Sequence, residues 1–194
     1  MKDTQHNSQK IAIFAALFFD IVFFTLSKNA AMLLQNYLLR LWEYNEWANQ
    51  TYLTCLVHLE EAGVELPPRL ALLNSHVILA QKLWLTRIKG NPDLSIDIWE
   101  SLPFKALSPI SAQNFENWKA HLATADEAEL ERKVSYLNFE KKPYISSVFE
   151  ICMQNINHAS YHRAQYALLL RQQGIKPPNT DFITHARLIS GQPL

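Results

Sequence analysis

The sequence predicts an all-α fold, a four-helix bundle with a small β-hairpin before the last helix. Three observations carry this reading. Four long segments repeat apolar residues at spacings of three and four, the period of an amphipathic helix. Glycine is scarce, four residues in 194, and three of the four close a periodic segment. The period shortens to two only once, late in the chain.

The first helix is expected from Met32 to about Leu59, where Leu34, Leu38, Leu41, Tyr44, Ala48, Tyr52, Cys55 and Leu59 trace one face. Glu60-Glu61-Ala62-Gly63 ends it, with Gly63 as the left-handed cap. Pro67-Pro68 suits the first turn of a second helix, which runs to Lys89 and closes at Gly90-Asn91-Pro92. Its expected inner face is Leu72, Leu73, His76, Leu79, Ala80 and Leu83. Residues 91–110 carry Pro92, Pro103 and Pro109 and read as a loop with one helical turn around Ile96–Glu100. Ser108-Pro109 is expected to cap a third helix, whose apolar side is Phe115, Trp118, His121 and Leu122, with the acidic run Asp126–Glu131 as its solvated end. Val134 and Tyr136, the turn Asn138–Lys142, then Tyr144 and Ile145 read as a hairpin. A fourth helix follows from about Ser146 to Gln173, stopped by Gly174 and Pro177-Pro178.

Composition excludes several functions. Lys plus Arg equals Asp plus Glu at 18 each, so no net charge draws the chain to nucleic acid, and no nucleic-acid partner is expected. The four glycines form neither GxGxxG nor GxxxxGK[ST], which removes phosphate-cradling loops of those types. Cys55 and Cys152 lack CxxC spacing and read as inert core thiols in a reducing compartment.

Residues 11–26 (IAIFAALFFDIVFFTL) stand apart, with 14 apolar residues of 16 and five of the ten phenylalanines. The run is shorter than the roughly 20 residues of a bilayer-spanning helix, and Asp20 sits near its centre. Lys2 and Lys10 precede it, yet the internal acid and the lack of a small-residue cleavage motif suit a signal peptide poorly. Four readings stand for residues 1–31: an upstream translation with the native start at Met32, a membrane anchor, an extra packing helix, or a signal. The expected division is an extension, 1–31, and a bundle domain, 32–194. The expected location is cytoplasmic, with membrane attachment through 11–26 as the alternative, and 32–194 is expected to make no membrane contact.

Bundles build their sites from inward side chains on facing helices. Of seven histidines, His158 and His162 are four apart and reach one point from one helix. They fall on the expected inner stripe Val148, Ile151, Asn155, His158, His162, Gln165 and Leu169, and His76 falls on that of the second helix. Inward imidazoles need partners for their ring nitrogens. Two readings stand: a shared divalent ion, or separate hydrogen bonds, His76 with Asn155 or Asn157. The residue after His158 is Ala159, so no HExxH helix is present, and no Glu-x-x-His pair marks a di-iron bundle. Three imidazoles on one ion would leave a fourth position open, the arrangement of a catalytic site.

The segment Asn157-His158-Ala159-Ser160-Tyr161-His162-Arg163-Ala164-Gln165, the run Leu168–Gly174 and the later Pro177-Pro178-Asn179-Thr180-Asp181-Phe182 closely resemble the NHxxYHRxQ helix and tail of the DinB/YfiT-like family. Tyr44-Asn45-x-Trp47-Ala48-Asn49 is similar to that family's first helix, and Asn74-Ser75-His76 with Trp84 and Arg87 to its second. The resemblance covers about residues 32–185 and leaves the extension outside. Ala164 departs from the glycine common after the HR pair, a change that affects close packing alone. The resemblance implies a four-helix bundle, often a homodimer, binding one divalent ion (zinc, nickel or iron) through His76, His158 and His162. It also implies a small-molecule substrate such as a low-molecular-weight thiol, since relatives include thiol S-transferases, a thiol-dependent isomerase and members treated as hydrolases.

Two functions are therefore expected in order. The first is a metal-dependent enzyme activating a thiol or water for attack on a small electrophile, of thiol S-transferase or hydrolase type. The second is a non-catalytic metal- or ligand-binding bundle acting as a dimeric stress-response protein. No catalytic base is identifiable. Arg163 and Gln165 either orient a substrate or a metal-bound water, or serve structurally, Arg163 in an interhelical hydrogen bond and Gln165 as a partner behind a ligand histidine. Tyr44, Trp47 and Trp84 are core or pocket residues; His58, His121 and His185 are structural or on the surface; Asp181 caps or anchors the tail. Arg132-Lys133 and Lys141-Lys142 are read as solubilising charge at the strand ends.

Overall fold

The computed structural model describes residues 2–193, with side chains from Met32 onward. Its elements are α1 (Lys2–Glu61), α2 (Pro68–Ile88), α3 (Phe104–Ala123), α4 (Glu127–Glu131), β1 (Lys133–Leu137), β2 (Pro143–Ser147), α5 (Val148–Gln172) and α6 (Phe182–Ile189). Helices α1, α2, α3 and α5 form the bundle: α1 packs chiefly on α3, and α2 lies between α3 and α5. Helix α1 is continuous through Met32, so the expected boundary at 31/32 falls inside a helix. The readings of residues 1–31 turn on side chains outside the described residues. Among the described residues no helix is long and apolar enough to cross a membrane.

Helix ends follow the glycines. Gly63, Gly90 and Gly174 all adopt positive φ (76°, 73° and 71°), where an L side chain is strained and the chain turns out of the helix. Pro68 opens α2 at a position whose N–H would have no helical partner. Ser147 caps α5 reciprocally with Glu150: the Glu150 N–H donates to Ser147 Oγ, and the Ser147 N–H to Glu150 Oε2. The hairpin pairs Val134 with Ser146 and Tyr136 with Tyr144, and Asn138 Oδ1 closes its turn by accepting from the Glu140 and Lys142 N–H groups.

Four expectations are corrected. Helix α3 starts at Phe104, not after Ser108, and Pro109 lies inside it. The proline forfeits one helical bond, while the earlier turn buries Phe104 and Leu107 against Leu53, Leu70 and Tyr166; Ser108 instead donates its hydroxyl to Gln50. Residues Ile96–Glu100 form turns without a helix. The acidic run is a separate short helix, capped by Asp126 and seated by buried Leu130. The tail carries an unforeseen helix, α6, with Asp181 at its N-cap position and His185 buried against Tyr44 and Trp47. Arg132 also does more than carry charge, since it pairs with Glu129 and donates to the Ile88 carbonyl.

Two large clusters fill the bundle. One, around Leu38, Trp42, Trp118, Leu122 and Ile151, lies toward the hairpin; the other, around Leu53, Leu56, Leu70, Leu107 and Tyr166, lies toward the tail. A smaller one, Leu79, Ala80, Leu83 and Ile98, packs the loop before α3 on α2. Helix α2 is buried on all sides from Leu73 to Gln81, which is why a single-stripe reading understates its burial. His76 sits in that stretch. The buried residues of α5 are Val148, Ile151, Cys152, Asn155, Ile156, Ala159, His162, Arg163, Tyr166 and Leu170, so His162 is buried as expected while His158, Gln165 and Leu169 lie along the edge of the stripe.

Candidate metal centre

His158 and His162 project from α5 and His76 from α2, at the seam where these helices meet. His158 Nε2 lies 3.1 Å from His76 Nε2 and 3.0 Å from His162 Nε2. The ligand atoms of the three rings fall within 4.8 Å of one another, and among the described residues this is a group able to take a metal ion. Four-coordinate zinc with Zn–N bonds of 2.0–2.1 Å places its nitrogens about 3.3–3.4 Å apart, so each of the two contacts at His158 needs to open by only a few tenths of an ångström.

Hydrogen bonding alone does not satisfy this arrangement. His76 Nδ1–H donates to the Ile98 carbonyl at 3.1 Å, which leaves Nε2 of the neutral ring as a lone pair aimed at His158. If His158 Nε2 carries a proton, that one proton faces two lone pairs, at 3.1 Å on His76 and 3.0 Å on His162. If His162 Nε2 carries it, the lone pairs of His158 and His76 face each other at 3.1 Å. In neither neutral set is each of the two Nε2–Nε2 contacts a hydrogen bond of its own, whereas one cation can be shared by the three lone pairs. The residues present therefore fit a divalent ion. Partners proposed from sequence for His76 are not used: Asn155 donates to Ile151 and Asn157 is exposed.

All three rings are held in the neutral, ligating form. Burial pushes His158 down to about 4, helped by His162 and His76; burial likewise lowers His76, against the Ile98 hydrogen bond, and His162, with His76 adding to the effect. Gln165, one turn from His162, opposes that shift. Burial also lowers His121 and His185. The unfolded rings take up protons near pH 6.5 and the folded ones resist to lower pH, so the unfolded chain binds more protons in between. Stability of the metal-free protein is expected to be complete above pH 6.5 and to fall as pH drops toward about 4. Melting temperatures of chelator-treated protein at pH 7.5, 6 and 5 check this; a flat profile would contradict burial of these rings.

The loop before α3 roofs the site. The Trp99 ring stacks on His76 with centroids 3.9 Å apart and planes at 17°, and it remains 52% exposed. Tyr161, 67% exposed, stands edge-on beside His162. Sequence reasoning missed Trp99 and Ile98, because neither belongs to a periodic segment; the only signal was an aromatic residue in a proline-bounded loop. The aromatics it did single out lie elsewhere. Trp84 packs on Tyr136 under Arg87, and Tyr44 and Trp47 receive α6. His58 is exposed, and His121 pairs with Glu129 at 3.2 Å. Cys152 is buried, its thiol pushed up to about 12 by burial, and Cys55 is raised in the same way, so neither is a ready nucleophile. Arg163 makes the interhelical bonds of the structural reading, donating to Asn45 Oδ1 and Asn49 Oδ1 on α1.

Fold and site thus define a helical bundle with a three-histidine cluster at the α2–α5 seam. The chain belongs to the DinB family, whose family model matches residues 32–190. Its backbone is similar to the crystal structure of a DinB-like protein from Bacillus cereus ATCC 10987, with a TM-score of 0.55 and 19% sequence identity over 73% of this chain and 94% of that one. Comparison with curated proteins finds no match.

Proposed function

We propose that His76, His158 and His162 hold one divalent ion, zinc, nickel or iron, and that the protein is an enzyme activating a thiol or water for attack on a small electrophile. The observation that carries this is the convergence of three neutral Nε2 atoms, with neither neutral tautomer set making each of their two contacts a hydrogen bond of its own. A divalent ion bound by three protein ligands supplies Lewis acidity at its open position, lowering the pKa of a thiol or water there. The chain's own contribution is orientation and charge. The Ile98 carbonyl fixes the tautomer and tilt of His76, and α5 fixes the other two rings one turn apart. The trio contains no carboxylate, so the site keeps its full positive charge for an anionic thiolate or hydroxide. Trp99 and Tyr161 offer aromatic surface beside it for the body of a substrate.

A non-catalytic, closed site would require a fourth protein ligand, and the group among the described residues comprises three. Metal analysis of the full chain after loading with zinc, nickel or ferrous iron is expected to give one equivalent per chain, and content well below one for all three would end the proposal. Thiol transfer to a small electrophile, assayed with several low-molecular-weight thiols, tests the reaction. Nickel binding is also expected to quench Trp99 emission, and Trp99→Ala to weaken metal binding by up to about tenfold, since the ring fixes the plane of a ligand. Fluorescence titration of the two chains checks both; equal quenching in the variant would place the ion elsewhere.

A further inference from the structure

On the side of α5 away from α2, a cavity of about 850 Å³ opens between α1, α5 and the segment leading to α6. Arg163 lines it and is itself only 4% exposed. A cation this deep is ordinarily matched by a carboxylate. Among the described residues no acidic group pairs with Arg163. Its guanidinium donates instead to three neutral oxygens, those of Asn45, Asn49 and Ser160, each at 2.9 Å. To present those oxygens, Asn45 and Asn49 leave their Nδ2 atoms buried without partners. The guanidinium is therefore fixed in place with no carboxylate partner, and two of its five N–H groups lie outside these three bonds, beside Tyr44.

The rest of the lining agrees in sign. Arg171 and Lys176 add positive charge near solvent, against a single carboxylate, Asp181. Tyr44 and Tyr52 provide aromatic wall; the Tyr44 hydroxyl is occupied in donating to the Thr180 carbonyl, which holds the tail in place, and its ring lies 5.4 Å from the Arg163 guanidinium. We propose that this cavity binds an organic carboxylate whose head group seats on Arg163 and whose apolar or aromatic body lies along Tyr44 and Tyr52. A guanidinium fork matches one carboxylate in bidentate fashion. A single buried cation and an acidic residue in the wall favour a monoanion over a phosphate dianion. The volume is that of a cleft for a small organic molecule. The site is separate from the histidine trio, which faces α2, and it does not depend on a metal.

The test is calorimetric titration of the full chain with benzoate and hexanoate, with benzamide as the uncharged counterpart and inorganic phosphate as competitor, with and without chelator. Saturable binding of at least one carboxylate is expected, at least tenfold tighter than benzamide and unchanged by chelator or by His158→Ala. Arg171→Ala is expected to weaken it several-fold, and Ala167→Trp, which fills the cavity from α5, to abolish it in a chain with unchanged circular dichroism. Arg163→Gln should abolish it too, and the other two variants keep the test decisive should that chain not fold. The proposal is overturned if neither carboxylate binds at millimolar concentration, if benzamide binds equally, or if Ala167→Trp binds normally. Loss of binding in His158→Ala would place the carboxylate on the metal centre, and equal competition by phosphate would make the cavity a general anion site; either result overturns the assignment.

Discussion

Replacing His158 by alanine is expected to lower affinity for a divalent ion by about 100-fold or more, beyond the 10–100-fold that loss of a ligand's outer partner brings. His158 Nε2 is the shared vertex of the trio, within 3.1 Å of both other Nε2 atoms. Its removal leaves two nitrogens, on two different helices, where three met. The fold should survive, because His158 lies at the edge of the α5 core stripe rather than on it. His121→Ala is the control: that ring contacts Trp118 and Glu129, remote from the trio, and its loss should leave metal content unchanged. Titration against a competing chromophoric chelator reads both. Because an ion binding only the folded state stabilises it by about 4 kcal/mol at a thousandfold excess over Kd, the wild-type chain should also gain a metal-dependent rise in Tm that His158→Ala lacks. Equal affinity in His158→Ala and wild type would sink the assignment of the site.

Much of the bundle is legible in the sequence because its helix ends are set locally. Gly63, Gly90 and Gly174 stop helices by a backbone conformation that glycine alone adopts easily, and Ser147 with Glu150 starts one by a reciprocal cap. The hairpin shows in a change of period. The histidine pair on α5 is local too, four residues apart, and His76 joins it by falling on the periodic inner face of the second helix, a reading the resemblance reinforces. What escapes is decided by distant contacts. Helix α3 runs through Pro109 because Phe104 and Leu107 meet residues from α1, α2 and α5, a gain that no window around Pro109 reveals. Helix α6 has only eight residues, too few to stand alone, and exists by packing Phe182 and His185 on Tyr44 and Trp47. The roles of Ile98 and Trp99 rest on a loop folding back over His76, a tertiary event with no periodic signature.

Trp118→Ala is expected to be the most destabilising single truncation, by about 3–5 kcal/mol, the range for removing a fully buried large aromatic. Trp118 is 0% exposed and stacks on Trp42 with centroids 4.3 Å apart and planes at 20°. That pairing adds about 0.5–1.5 kcal/mol beyond the buried area. Its indole N–H also donates to the Gln81 carbonyl of α2, so one residue of α3 ties together α1 and α2. For a domain of this size each kcal/mol moves Tm by about 2–4 °C, so a fall of about 10 °C or more is expected in a thermal melt. Trp118→Phe should recover part of the loss, since it restores the stacking surface without the N–H. A loss under about 1 kcal/mol for Trp118→Ala would mean that Trp42 and Leu122 collapse into the space, contrary to the close packing on which this estimate rests. Metal content measured well below the melting transition should be unchanged, because His76 lies on α2 more than one turn before Gln81 and takes its orientation from Ile98. The two substitutions therefore separate what holds the bundle from what holds the ion: Trp118→Ala should lose stability and keep the site, and His158→Ala should keep the fold and lose it.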